Sequence, residues 1–547
     1  MASEEKIGSP QYVILPEGAS RIIGREAQRA NIAVGYAVAS IIKTTLGPRG
    51  MDKMLVSELG DIVVTNDGAT ILDEMNVEHP VAKIMVDIAK TQDKEVGDGT
   101  TTTVILAGEL LKNAGTLLDQ GVPATSIIKG YNIAFEKAKE ILESEAHDVD
   151  IDDTETLKKI ALVTIGSKNI GGDDARSYIA ELAVRAIKQV AQKVDNKIVI
   201  DRDLIKIEKK EGGDIMDTEF INGVLVDKEV ANANMPKRIE KAKIALIDVA
   251  LEIEKTEMDA RIEITSPDQM KAFLAEEENM LKEMVDKIAK TGANVLFTEK
   301  GIDDVAQHYL AKNGIMAVRR VKKSDMEKLA KATGARVVNS LDDLSKDDLG
   351  YAGLVEERKI EGEAMVFVED CKDAKSVTIF VRGGTKQIAE EGERAVNDVI
   401  GALASAVELG KYVYGGGATE GLIAQKLREY ATDIGGREQL AVQAFADALE
   451  VIPKTLAESA GMDSIDVIVQ LRSKYKTKEG KGYGVDVINA KIADMSKIGV
   501  FEPMKVKLQA FASATAAATS ILRIDDVISA KTKAPSSGGA PTPGEEE

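Results

Sequence analysis

Apolar residues recur at helical spacing through an Ala-rich run from about Arg25 to Thr45, which ends at Gly47-Pro48, a pair that stops helices. The same period predicts helices over roughly 78–95, 100–119 and 123–145, with a short β-type run, Asp61-Ile62-Val63-Val64-Thr65, before the first of these. A helical reading continues from about 150 to 195. Near residue 197 the period changes, and Ile198-Val199-Ile200 and Leu204-Ile205-Lys206-Ile207 read as strands before a turn at Glu211-Gly212-Gly213-Asp214. A mixed stretch follows to about 368. Within it Asn294–Thr298 reads as a strand, Gly301–Lys312 as a helix and Ile315–Val318 as a second strand, a βαβ unit that predicts a parallel sheet.

Ahead of this unit, Ser266-Pro267-Asp268-Gln269 has the form of a capping box with Pro at the first helical position. Met270, Phe273, Leu274, Leu281, Met284, Val285 and Ile288 make one apolar face of the helix it opens, and Gly292 ends it. A strand over Val377–Val381 leads through Arg382-Gly383-Gly384-Thr385 into another long helix, and the chain is then mostly helical to about 529. Residues 1–20 read as an extended lead-in. Residues 530–547, rich in Pro, Gly, Ser and Glu, have the composition of a disordered tail. The order is helical, mixed, α/β, mixed, helical. That symmetry predicts an α/β unit inserted into a helical domain built from both chain ends.

Composition narrows the function. The 547 residues suffice for about three or four domains. A formal charge of −20 argues against a general nucleic-acid binder, which needs basic surface for phosphates. The one cysteine, Cys371, excludes an intrachain disulfide and a cysteine-based zinc site, and His79, His147 and His308 are widely spaced. The acidic start MASEEK does not read as a signal peptide, and no stretch of about 18 uninterrupted apolar residues occurs, so a cytoplasmic protein is expected, without a membrane span. Abundant Glu and Lys with no Trp suit a thermophile.

The most informative segment for chemistry is Val96-Gly97-Asp98-Gly99 followed by Thr100, Thr101, Thr102 and Thr103, a glycine-rich turn feeding a helix. A helix N-terminus offers free N–H groups and a positive dipole end, which suit phosphate. Asp98 would supply one oxygen to Mg²⁺, an ion that keeps most of its waters. The plain alternative is an ordinary Asp N-cap. Leu46-Gly47-Pro48-Arg49-Gly50, Asn66-Asp67-Gly68-Ala69-Thr70 and Gly415-Gly416-Gly417 are further glycine turns, each open to a structural reading as hairpin or linker. Asp398 lies on a helix whose apolar face is Val396, Val399, Ile400, Leu403 and Val407, and it points away from that face. It is a solvated carboxylate unless another segment covers it. No P-loop, G-x-S-x-G or H-E-x-x-H motif is present, and Gly480–Gly484 has the wrong spacing for a dinucleotide turn.

Together, Thr44–Met54 (TTLGPRGMDKM), Thr65–Thr70 (TNDGAT) and Gly97–Thr101 (GDGTT) resemble the signature of group II chaperonins, the archaeal and eukaryotic cytosolic branch. The likeness extends to about residue 530 and includes Gln307–Leu310, Val318–Arg320, Arg382–Gly384, Tyr414–Gly417 and Leu522–Asp526. It implies a multidomain α plus α/β chaperonin fold. A mainly helical equatorial domain would comprise 1–148 and 405–529, a hinge-like intermediate domain 149–218 and 370–404, and an α/β apical domain 219–369 with a helical lid protrusion at about 252–282. It also implies ATP and Mg²⁺. Thr45, Leu46, Gly47, Pro48, Gly416 and Gly417 would approach the nucleotide, Gly99, Thr100, Thr101 and Thr102 its phosphates, and Asp98 the metal. Asp67 and Asp398 would position and activate the attacking water, while Ser167 and Lys168 would come from the intermediate domain, Lys168 sensing the γ-phosphate. Glu502 would hold the ribose, with Asp486 and Lys507 near base and ribose.

The same resemblance implies a homo- or hetero-oligomeric double ring of eight or nine subunits per ring that encloses non-native protein clients. It implies no separate lid co-chaperonin and no nucleic-acid or membrane partner. Ala231–Arg238 and Gly166 depart from the pattern usual in relatives. Two other function classes use the same ATP parts: a structural ring or filament scaffold, and a small-molecule kinase. The inserted domain favours the folding chamber, because a kinase needs a small closed pocket.

Overall fold

The computed structural model describes residues 20–57, 60, 62–195, 197–253 and 266–529. The sequence-predicted tail, nearly all of the lead-in and residues 254–265 of the predicted protrusion lie outside the described residues. Helix Gly24–Ile42, closed by a 3₁₀ turn at Lys43–Thr45, and helices Pro80–Val96, Thr100–Asp119 and Ala124–Glu145 fall where the periodicity places them. They pack with Met504–Leu522, an Ala-rich helix that buries Ala510, Phe511, Ala514, Ala518 and Ile521. Small side chains let these helices approach closely, and each fully buried Leu, Ile or Phe among them contributes about 1.5–3 kcal/mol. Both ends of the described chain therefore share one core, from Ile32 to Leu142 and from Val413 to Leu522. Strand Ser20–Ile23 also pairs antiparallel with Asp526–Ser529, and Arg21 clamps Asp526.

A second core, Val224 to Ala374, surrounds a seven-stranded sheet. Val295–Thr298 and Met316–Val318 pair in parallel, connected by helix Asp304–Lys312, as the βαβ pattern predicts. The parallel part extends to Arg238–Ile247, whose C-terminal end also pairs in parallel with Val337–Val338. On its other side Gly350–Ile360, Glu363–Glu369 and Val224–Val226 run antiparallel, so the sheet is mixed rather than parallel throughout. The physical reason is connection length. Gly350–Ile360 and Glu363–Glu369 are joined by a two-residue turn, Glu361-Gly362, and so short a link permits only an antiparallel pair.

Ser266 caps helix Pro267–Thr291 by accepting from the Gln269 N–H. Its apolar face divides in two. Leu281, Val285 and Ile288 are buried, whereas Met270, Phe273, Leu274 and Met280 are exposed, so the first half of the helix stands clear of the core.

A third core joins two segments far apart in sequence, Val149–Ile215 and Val377–Val407. Strand Ile205–Glu211 lies parallel to Val377–Gly383, and helices Thr154–Ile165 and Asp173–Val190 pack on the long helix Lys386–Leu409. This helix meets the first core where Gly401 passes Gly97. A Cβ on Gly401 would lie 2.6 Å from the Gly97 Cα and 3.0 Å from the Val96 carbonyl oxygen, both backbone atoms that cannot swing away. Gly97 also has φ +71°, a left-handed conformation that closes helix Pro80–Val96. Asp98 follows Gly97, and Asp398 precedes Gly401 by one helical turn. Gly401→Ala is therefore expected to destabilise by about 1–3 kcal/mol through overpacking and to move the two aspartates apart. A thermal melt checks this, and a wild-type midpoint would mean the crossing is not tight.

Candidate functional site

Every residue that the resemblance assigns to nucleotide, metal or catalysis lines one cleft of about 730 Å³. Its walls come from the first and third cores. The 3₁₀ turn and the loop after it bring Thr45, Leu46, Gly47 and Pro48, and the Gly415–Gly417 turn brings Gly416 and Gly417. The linker reading of that turn fails. Gly417 is left-handed at φ +73° and N-caps helix Ala418–Ile434, and a Cβ there would sit 2.8 Å from Pro453.

The N-cap of helix Thr100–Asp119 is Gly99, not Asp98, and no side chain caps that helix. The ordinary cap reading of Asp98 is therefore wrong. One carboxylate oxygen accepts from the Gly99 N–H at 2.6 Å and the other from the Thr164 hydroxyl at 3.0 Å. The first-turn N–H groups of the helix are left for a ligand. Burial pushes the Asp98 carboxyl above the usual carboxylate range, against the pull of those two hydrogen bonds. Gln92, itself buried, holds the Asp98 carbonyl at 2.9 Å. Nothing in the sequence singles out Gln92 or Thr164, since each sits within an ordinary helical pattern.

Asp67 N-caps helix Gly68–Glu74, with one oxygen accepting from both the Thr70 N–H and hydroxyl at 2.8 Å. Its other oxygen lies 3.5 Å from the Lys168 ammonium. Lys168 is 5% exposed and lies 2.8 Å from Asp398, whose side chain is 13% exposed. Asp398 is thus not a solvated helix-face residue. The segment after helix Thr154–Ile165 covers it, and Asn66 ties that segment down through the Ser167 carbonyl. One cation between two carboxylates leaves an uncompensated negative charge. Burial and the neighbouring Asp67 push the Asp398 carboxyl well above its usual range despite Lys168. Burial also works to raise Asp67, yet Lys168 and the Thr70 hydrogen bonds bring it below its usual value. Lys168 remains firmly protonated, since its two carboxylate partners outweigh its burial.

Across the cleft, Lys507 bridges Glu420 and Glu502, 2.5 Å from each. Glu420 was not among the sequence-derived candidates. Its side chain is 0% exposed and one of its oxygens has no partner among the described residues. Lys507 is accordingly engaged in holding Glu502 in place. Asp486 lines the cleft too, but both its oxygens accept from Asn489, so it shapes a loop. Leu46, Ile452, Leu456, Val487, Ile488 and Val500 form an apolar side suited to a flat ring. Arg176, also unanticipated, lines the cleft from helix Asp173–Val190 with a buried, unpartnered Nε. Among the described residues no group of three or more His, Cys, Asp or Glu is placed to hold a metal.

These features, an uncapped helix N-terminus and glycine turns facing a carboxylate pair under a covering segment, sit on a helical core split by an inserted α/β unit. The sequence profile of the TCP-1/cpn60 chaperonin family matches residues 38–532, and the chain belongs to that family. It is 59% identical to the thermosome subunit of Methanopyrus kandleri over 521 residues, 95% of either chain. It is 58% identical to thermosome subunit beta of Thermococcus kodakarensis over 96% of this chain and 95% of that one. With the thermosome subunit of Methanocaldococcus jannaschii it shares 57% identity over 97% of each.

Proposed function

We propose that this cleft binds and hydrolyses Mg-ATP and that the reaction drives closure of a protein-folding chamber. The chain is an ATP-dependent chaperonin subunit that folds proteins. The observation that carries the site assignment is the Asp67–Lys168–Asp398 cluster facing an uncapped helix N-terminus in one cleft. The first, third and second cores correspond in this reading to equatorial, intermediate and apical domains.

Gly99 to Thr102 and the Gly416-Gly417 turn cradle the phosphates with backbone N–H groups and hydroxyls. The apolar side takes the base, and Glu502, held by Lys507, takes the ribose. Asp98 holds Mg²⁺, which when bound offsets phosphate charge. Asp67 orients a water and Asp398 accepts its proton as the water oxygen bonds to the γ-phosphorus. The bond to the β-phosphate oxygen breaks and ADP leaves with that electron pair. Positioning and charge neutralisation suffice for this chemistry. Lys168 relays the presence of the γ-phosphate to the covering segment.

Subunits assemble into a cytoplasmic double ring, eight or nine per ring, of one or more kinds of chain, around a non-native client. The exposed Phe273 and Leu274 belong to a built-in lid that replaces a separate one. The test is electron microscopy with and without Mg-ATP beside binding of a fluorescent nucleotide. Double rings that close with Mg-ATP are expected, and Asp98→Ala should weaken Mg-dependent nucleotide binding by about tenfold or more, at least the loss seen when a residue that merely supports a metal ligand is removed. Constitutive filaments would favour the scaffold and monomers the kinase.

A further inference from the structure

A second cleft, of about 680 Å³, lies behind the carboxylate pair. Asp67, Gly97 and Asp398 line both clefts, so a single layer of residues separates them. Its other walls come from the end of helix Pro80–Val96, the turn Arg202–Leu204, strand Ile205–Glu211, helix Lys386–Leu409 and, as a roof, Lys322 to Lys328 at the start of helix Lys323–Thr333. That roof belongs to the inserted α/β unit. Lys206, which is buried, pins it by pairing with Asp325 at 2.8 Å. Asp93, Lys94, Asp203, Lys322, Ser324 and Asn397 are exposed at the rim, so the far end opens to solvent.

We propose that this second cleft is the exit for inorganic phosphate, an inference that rests on the hydrolytic reading of the first cleft. A nucleotide in the first cleft occupies the space between its mouth and the carboxylates. After cleavage ADP still blocks that way out, while the freed phosphate lies against Asp67 and Asp398, the layer shared with the second cleft. Phosphate is a hydrated dianion and needs a polar route with cations along it. Lys206 is taken by Asp325 and Glu208, and Arg394 by Glu391. Lys94, Arg202, Lys322 and Lys328 line the route and have no carboxylate ion-pair partner among the described residues. These four draw the anion outward past Asp93 and Asp203. Because the roof is part of the inserted unit, its position sets how fast phosphate leaves, which ties product release to the arrangement of the domains.

Two variants of the assembled protein test this away from the catalytic groups. Ser324→Trp narrows the roof from an exposed position, and Lys94→Glu with Lys328→Glu reverses the charge of the route. ATP cleavage is followed by acid quench in a single turnover and phosphate release by a fluorescent phosphate-binding protein. In both variants cleavage should keep its wild-type rate while release lags it by about tenfold or more, with the lag in the charge variant shrinking as salt rises. Cleavage and release curves that superpose in both variants, whether fast or slow, would overturn the exit and leave the hydrolytic site standing. Loss of cleavage in the unmodified protein would instead remove the reading on which the exit rests.

Discussion

Asp398→Ala is expected to slow ATP turnover by about 10²-fold or more while leaving nucleotide binding within a few-fold of wild type, as loss of a water-activating base does. The reason lies in what surrounds the carboxylate. Burial and Asp67 raise it, Lys168 restrains it, and the result is a base stronger than a solvated Asp. Asp398→Asn preserves size and hydrogen bonding but cannot take a proton, so it should be nearly as slow. The base acts only when deprotonated. Wild-type turnover should therefore fall as the pH drops through a carboxyl titration lying above the ordinary aspartate value, and this limb should vanish in Asp398→Asn. Rates close to wild type in both variants would remove the assignment.

Lys168→Ala should produce the second large effect, on closure rather than on binding. In this structure the Lys168 charge is already shared between Asp398 and Asp67. A γ-phosphate would compete with these carboxylates for the same ammonium. ATP can shift the covering segment only by the difference in that attraction between open and closed states. Without the lysine, rings should form and bind ATP, but proteases should still cut the expected lid segment at 252–282, which Mg-ATP should protect in the wild type. Equal protection in both would make Lys168 a structural ion-pair partner alone.

The variant also leaves two buried carboxylates facing each other, and breaking a buried pair costs about 3–5 kcal/mol. With the lysine gone, Asp398 is raised further above its unfolded value. The stability this group contributes is present at low pH, where it stays protonated, and is lost as pH rises through its folded titration. Thermal midpoints should thus differ most from wild type above that titration and converge below it.

Local pattern alone determined the helices, the βαβ unit, the split helical core and the glycine turns. Periodicity and turn chemistry act over a few residues, and the chain states them directly. The resemblance of three motifs then drew together residues as distant as Gly47 and Glu502. Three matters waited on tertiary structure. Asp398 reads from its helix as a solvated side chain, and only the segment through Lys168, some 230 residues earlier, makes it a covered carboxylate paired with a cation. Asp98 reads as a cap, yet the left-handed Gly99 takes that position, and the carboxylate instead faces the cleft, accepting from the Gly99 N–H and the Thr164 hydroxyl. The apolar face from Met270 to Ile288 is continuous in sequence, but only its second half meets the sheet. Each turns on which distant segment covers a surface, and burial by a remote partner leaves no periodic mark on the residues it covers. For the same reason Gln92, Thr164, Glu420 and the cations of the second cleft were silent in the sequence.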